Sequence, residues 1–256
     1  MSDRVAVVTG ASHGIGRATA IRLARDFSTV VVVARDKDAL GEVAAQITGA
    51  GAKALILNHD LSQPASAGEV IEATLNATAR IDAVINIAGA VPRLDILETT
   101  DEQWEAGFAL KFHGARRLAR HAWEALKATK GAVVFTSGIA ADHPKAIGAA
   151  VSSVNAAVEA LAKAFADRGL ADGVQVNCIS PGAIMTRRRL AMLEKAASAK
   201  GCSIESAKLD YLTEAGIGRF GEPEEIAELI AFCISQKMRW LTGSILRMDG
   251  GETSSL

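Results

Sequence analysis

The sequence predicts an α/β fold in a single domain: a parallel β-sheet with helices on both faces. Three observations predict it. Short apolar runs rich in β-branched residues alternate with longer amphipathic stretches along 256 residues. The runs are nearly continuous in apolar residues, as strands buried on both faces should be. No break in composition, internal repeat or low-complexity tract marks a linker, and α/β domains of this length commonly form one unit.

Taken in order, the strand candidates are Val5–Thr9, Thr29–Ala34, Ala54–Leu57, Ala83–Ile87, Ala132–Thr136, Val174–Ile179 and Ser244–Met248. The helical stretches between them are Ile15–Asp26, Lys37–Thr48, Ala65–Thr78, Asp101–Ala128, Ser152–Arg168 and Pro223–Ser235. Strand alternating with helix implies right-handed crossovers and a parallel sheet. One region departs from this rhythm. After Ile179 the chain carries Arg187-Arg188-Arg189 and the helical-looking Leu190–Lys200 and Ser203–Leu212 before it reaches Pro223. An insertion after the carboxyl end of a strand is where an open α/β sheet places a substrate lid. We expect such a lid over about 185–217, the alternative being a helical excursion that packs on a neighbouring subunit.

Composition excludes several classes. With 28 basic and 29 acidic residues the formal charge is −1, so no global positive field draws in nucleic acid or an anionic membrane. No apolar run approaches the ~20 residues that span a bilayer. A strand-like run starts at Val5, so a secretory leader is not expected. Three scattered cysteines, Cys178, Cys202 and Cys233, read as reduced thiols of a cytoplasmic protein. No metal site is expected: His113 and His121 stand eight apart, too far for a helical i, i+4 pair. No Gly-x-Ser-x-Gly elbow supports a hydrolase.

Directly after the first strand comes Thr9-Gly10-Ala11-Ser12-His13-Gly14-Ile15-Gly16, leading into a helix. Glycines at 10, 14 and 16 permit a tight turn, close backbone approach to a pyrophosphate and close helix–strand packing, and the helix N-terminus offers free N–H groups and a positive dipole end. About 20 residues further on, where an acid would bind a ribose hydroxyl and a cation a 2′-phosphate, stands Arg35, followed by Asp36. A guanidinium grips phosphate bidentately, and His13 is a second phosphate contact. NADP(H) is therefore favoured; NAD(H) is the alternative, through Asp36.

The spacing of Thr9–Gly16 resembles the cofactor motif of the short-chain dehydrogenase/reductase family, and further motifs follow in the family's order. Asp60-Leu61 resembles its adenine-pocket segment, Asn86-Ile87-Ala88-Gly89 its Asn-Asn-Ala-Gly, and Pro181-Gly182-Ala183-Ile184-Met185-Thr186 its Pro-Gly-x-x-x-Thr, whose Thr holds the nicotinamide amide. Gly218–Ile226, Leu241-Thr242-Gly243 and Asp249-Gly250-Gly251 resemble its C-terminal signatures. The resemblance implies a seven-stranded Rossmann sheet, a dimeric or tetrameric assembly, and oxidoreduction of a small carbonyl or alcohol. A homotetramer is the assembly we expect, built on the helices Asp101–Ala128 and Ser152–Arg168.

The catalytic pattern is where the resemblance fails. The family uses a Ser, a Tyr, a Lys four residues later and a supporting Asn. Ser137 matches the Ser, to polarise the substrate oxygen, but Val151 stands at the Tyr position, Asn155 at the Lys and Lys111 at the Asn. Valine transfers no proton, and losing a general acid typically forfeits ~10²–10⁴ in rate. Either another group supplies the proton or the chain binds the cofactor as a sensor or scaffold. The substitutes weighed are His143, in the loop before Val151, and Tyr211, the chain's one tyrosine, in the lid. Lys111 is a candidate for the relocated cation, against the alternative that its ammonium turns out into water. Arg93 and Arg187–Arg189 could face an anionic substrate; a solvated basic face is the reading preferred from sequence.

Overall fold

The computed structural model describes residues 3–254. Among them the strands are β1 (Val5–Thr9), β2 (Thr29–Ala34), β3 (Lys53–Asn58), β4 (Ala83–Asn86), β5 (Ala132–Thr136), β6 (Gln175–Pro181) and β7 (Ile245–Met248). They form one sheet in the order β3-β2-β1-β4-β5-β6-β7. Every pairing is parallel, so all carboxyl ends, and the loops that follow them, lie on one edge. The helices are α1 (Gly14–Leu23), α2 (Lys37–Gly49), α3 (Ser66–Thr78), α4 (Asp101–Gly107), α5 (Ala115–Thr129), α6 (Ala149–Asp172), α7 (Arg187–Lys200), α8 (Ile204–Ala215) and α9 (Pro223–Cys233). No helix of the described residues is long and apolar enough to cross a membrane.

The strand period of two sorts the core. In β1, Val5 and Val7 pack with apolar residues of α3, α5 and α6, among them Val70, Leu118 and Val158. Ala6 and Val8 pack on the opposite face with residues of α1, α2 and α9, including Leu23, Leu40 and Ile230. The seven strands and the helices on both faces are those expected from the alternation. Burial on both faces holds for the inner strands, but β3 and β7 are partly exposed along their length. Both are edge strands, covered by fewer neighbours, and Ile56 and Ile245 remain exposed there.

One helix differs from expectation. The stretch Asp101–Ala128 is not a single α-helix. Between α4 and α5, Phe108–Gly114 forms a π-helical segment, which has one more residue per turn and so shifts the phase of the side chains it carries. Such segments are rare and concentrate at functional sites. Lys111 stands in its middle.

Elsewhere the helix–sheet contact leaves no slack. A Cβ placed on Gly169, near the end of α6, would stand 2.2 Å from the Val174 carbonyl oxygen. Gly169→Ala must therefore push α6 away from the segment leading into β6. We expect a loss of ~1–3 kcal/mol, the usual cost of overpacking, read as a lowered urea midpoint with an unchanged slope.

Candidate active site

The glycine loop follows β1 because its backbone needs conformations that side chains resist. Gly10 and Gly14 take positive φ of 65° and 51°. Gly16 is required by contact: a Cβ there would stand 2.1 Å from the Gly10 carbonyl oxygen. This brings the start of α1 hard against the turn. His13 precedes α1 without capping it through its side chain, which leaves first-turn N–H groups for an anion. Thr9 Oγ1 accepts from Ile87 N at 3.0 Å and Ala88 N at 3.1 Å, tying the segment after β4 to the loop.

These segments enclose a cleft of about 630 Å³. Of the expected cofactor residues, Gly10, Ser12, His13, Gly14, Ile15, Gly16, Arg35, Asp60, Leu61, Ala88, Gly89 and Thr186 line it. Pro181, Gly182 and Ile184 line an adjoining cavity that shares Ile15, Gly89 and Thr186 with it. Asn86 lines neither. It is 5% exposed, and both its amide atoms are buried without a protein partner. The cleft's shape, its uncapped helix end and its glycine-only contacts fit a dinucleotide.

At its far end the charges sort themselves. Asp36 Oδ1 accepts from Ala39 N at 3.1 Å and caps α2. Arg35, with a side chain 67% exposed, stands 3.8 Å from Asp60 Oδ2. Asp60 also accepts from Ser62 N and Ser62 Oγ at 3.0 and 2.8 Å. Burial pushes the Asp60 carboxyl up, but these hydrogen bonds and the Arg35 charge together hold it below its usual range. The Arg35 guanidinium thus faces the cleft beside a carboxylate already committed to Ser62.

The adjoining cavity, about 610 Å³, collects Lys111, Ser137, His143, Val151, Asn155 and Tyr211. Lys111 does not turn outward. Its Nζ donates to Asn155 Oδ1 at 2.5 Å and to the Ser137 carbonyl at 2.9 Å, while its stem lies on Gly89, where a Cβ would come within 2.9 Å of Lys111 Cδ. Asn155 Nδ2 in turn donates to the Gly138 carbonyl at 3.3 Å. Enclosure by protein pushes the Lys111 ammonium down to about 8, with the nearby Arg188 charge adding to the effect and Glu159 opposing it. An amine in that range exchanges a proton near neutral pH.

Ser137 stands at the end of β5, where the sequence puts it. It lines the cavity and is 5% exposed, but its hydroxyl is turned to Glu159 Oε1 at 2.6 Å, with the Ile179 carbonyl at 3.3 Å. A hydroxyl has one proton, and here it is directed at Glu159. The next residue, Gly138, faces Asn155 with no side chain; a Cβ there would stand 3.0 Å from Asn155 Nδ2. Glu159 escaped the sequence reading. Its signal was the i, i+4 spacing from Asn155, which puts both on one face of α6. Burial pushes its carboxyl up, against the Ser137 hydrogen bond.

The insertion after β6 forms α7 and α8, and Arg188, Arg189, Met192, Tyr211 and Glu214 from them line the cavity. Tyr211 is held. Its ring stacks on Phe220 with centroids 5.5 Å apart, lies 4.7 Å below the Arg189 guanidinium, and its hydroxyl bonds Glu252 at 3.2 Å. Burial raises its pKa, which makes it a weaker proton donor. His143 is exposed at the rim.

Comparison with known proteins agrees with the fold. The family model described as enoyl-(acyl carrier protein) reductase matches residues 10–253. An uncharacterized oxidoreductase of Methylorubrum extorquens is 31% identical, with 98% of each chain covered. L-sorbose reductase of Gluconobacter frateurii, solved with NADPH and L-sorbose, superposes with a TM-score of 0.95 at 30% identity over 100% of this chain and 98% of that one. An NADPH-dependent reductase involved in bacilysin biosynthesis superposes at 0.93 with 26% identity over the whole of both.

The buried ammonium has a direct test. Lys111 should titrate near 8, well below a free lysine. Glu159→Gln removes an opposing negative charge and should move the midpoint lower still. Carbon-13 or nitrogen-15 resonances of the Lys111 side chain follow both; a midpoint at the ordinary value of 10.5 would mean an ammonium in water.

Proposed function

The chain belongs to the short-chain dehydrogenase/reductase family, and from that premise we propose that it reduces a small carbonyl substrate with NADPH, taking the proton from Lys111. The observation that carries this reading is the Lys111 ammonium, held in the cavity wall by Asn155 and the Ser137 carbonyl. A bound nicotinamide cofactor supplies the hydride equivalent. The residues that would hold it are those of the glycine loop, with Arg35 and His13 toward a 2′-phosphate and Thr186 at the boundary of cleft and cavity.

An ammonium has three N–H groups, and two of them are used by Asn155 and Ser137. The third is free to meet a substrate oxygen. As negative charge develops on that oxygen, Lys111 stabilises it and passes a proton from Nζ, becoming a neutral amine that solvent recharges. Val151 contributes shape alone. Asn155 orients the ammonium, and Glu159 favours its charged form. The runner-up reading is a cofactor-binding sensor or scaffold with impaired turnover. It is favoured by Val151 at the tyrosine position and by the Ser137 hydroxyl turned to Glu159. With the main reading go a homo-oligomeric state and a cytoplasmic location; exposed Trp240 and Leu170 supply apolar surface for subunit contact.

The sign of the pH dependence follows from the donor. Carbonyl reduction needs the charged form, present below about 8, so its rate should fall as pH rises through that value, while alcohol oxidation, which needs the neutral amine, should rise. Lys111→Met should lower the reduction rate by ~10²–10⁴ and erase this limb, measured by NADPH absorbance against a ketone panel. A wild-type protein that binds NADPH but oxidises it with no member of the panel would favour the sensor reading.

Cofactor choice is tested separately. Arg35→Asp should weaken NADPH binding by ~1.5–3 kcal/mol, the worth of a charged hydrogen bond, and leave NADH equal or better. Equal affinities for the two cofactors in the parent protein, unchanged by this substitution, would assign no phosphate to Arg35.

A further inference from the structure

We propose that the substrate carries an anionic group, a carboxylate or phosphate, on an otherwise apolar carbon frame, and that Arg93 and Lys145 hold it. This rests on the reductase reading for the chemistry and on the cavity's own charges for the specificity. From sequence, Arg93 and the run Arg187–Arg189 read as a solvated face. The fold divides them. Arg187 lines the nucleotide cleft alone, Arg188 lines both spaces, and Arg93, Lys145 and Arg189 line the substrate cavity alone.

The balance of charge in that cavity is one-sided. Its carboxylates are Glu214 and Glu252, and Glu252 is already occupied. It accepts from the Tyr211 hydroxyl at 3.2 Å and from Ala183 N at 3.1 Å. The cations are differently placed. Arg188 donates to the Val91 carbonyl and Arg189 lies over the Tyr211 ring. Neither has a carboxylate partner within ion-pair distance among the described residues, and the same holds for Arg93 and Lys145. Cations that line a cavity without a carboxylate partner raise the local concentration of an anion that enters it.

Arg93 is also positioned. Its stem packs on Gly148, where a Cβ would stand 3.2 Å from Arg93 Cγ. The Gly148 N–H donates to the Leu94 carbonyl at 2.7 Å, so the segment carrying Arg93 is tied to the turn that carries Lys145. That turn enters α6, whose start has no side-chain cap and adds the positive end of a 24-residue helix. Three residues past Gly148 is Val151, packed with Val91, Ala150, Val154, Trp104 and Phe108. The cavity therefore combines apolar lining at Val91 and Val151 with the cations Arg93 and Lys145 and with Lys111. The ligand that satisfies all three has an anion at one end, carbon in the middle and a carbonyl at the other.

The test uses matched pairs on the cofactor-loaded protein: levulinate against its amide, and dihydroxyacetone phosphate against dihydroxyacetone. Calorimetric affinity is measured with NADP⁺ bound, and turnover by NADPH absorbance. At least one anion should bind about tenfold or more tightly than its neutral partner, since each charged contact is worth roughly that factor. The preference should shrink with added salt and collapse in the double variant Arg93→Gln, Lys145→Gln, with NADPH affinity retained because neither residue lines the nucleotide cleft. The pair that responds separates a carboxylate from a phosphate. Neutral members binding as well as the anions, or an anion preference untouched by the double variant, would overturn the proposal, as would no binding of either anion at millimolar concentration. Selective anion binding without NADPH consumption would leave this inference standing and remove the reductase reading instead.

Discussion

Everything about this site depends on the point where the sheet reverses its winding. β1 pairs with β2 on one side and β4 on the other, so the chain fills the sheet outward from β1 in one direction, then returns to build in the opposite one. The loops after β1 and β4 therefore part above the same strand edge, and a crevice opens between them. Glycine sets how narrow that crevice is. With Gly16 packed against the Gly10 carbonyl and Thr9 bonded to the backbone after β4, the helix end, the turn and the fourth strand are fixed as one piece. The nucleotide cleft and the substrate cavity are two ends of that crevice, sharing Gly89 and Thr186 at their boundary.

The second constraint is electrostatic. Two ammonium groups about 4 Å apart would repel by ~4 kcal/mol at an effective dielectric constant of 20. A lysine at both 111 and 155 would meet that penalty in an enclosed place. The chain has a lysine at 111 and an amide at 155, and the amide oxygen accepts from the ammonium at 2.5 Å. The two residues are thus coupled: Lys111 makes an acceptor at 155 favourable, and Asn155 gives the ammonium a partner. Glu159 adds a negative charge one turn further along α6 and supports the same arrangement.

The sheet, the order of its elements and the nucleotide loop were legible because their causes are local. Alternation of apolar runs sets strands and crossovers, and a glycine needed for a turn is needed whatever surrounds it. Lys111 was legible only as a candidate for a relocated cation; its pairing with Asn155 joins residues 44 apart through a π segment that no 3.6-residue period announces. The partner of Ser137 was hidden for a related reason. The motif supplies a serine at the end of β5, but the direction of its hydroxyl depends on Glu159, which lies 22 residues later. That Arg93 and Arg189 line one cavity was not legible, because charge runs are judged along the chain, whereas cavities are assembled across it.

On the proposed reading one ammonium has two tasks that the family divides between a tyrosine and a lysine. Two of its three N–H groups are committed to Asn155 and the Ser137 carbonyl, and the Ser137 hydroxyl, which would otherwise help to hold the substrate oxygen, belongs to Glu159. A single donor fixes a distance but not an orientation. A carbonyl held only by Lys111 could rotate about that hydrogen bond and present the wrong face of its carbon. Orientation must therefore come from the far end of the substrate, across the apolar wall of Val91 and Val151. Arg93 and Lys145 line the same cavity and, on the proposed reading, would supply that hold. On that reading, few hydrogen-bonding groups at the reacting oxygen and positive charge elsewhere in the cavity belong together: binding at the far end would supply the orientation that the inner contacts do not.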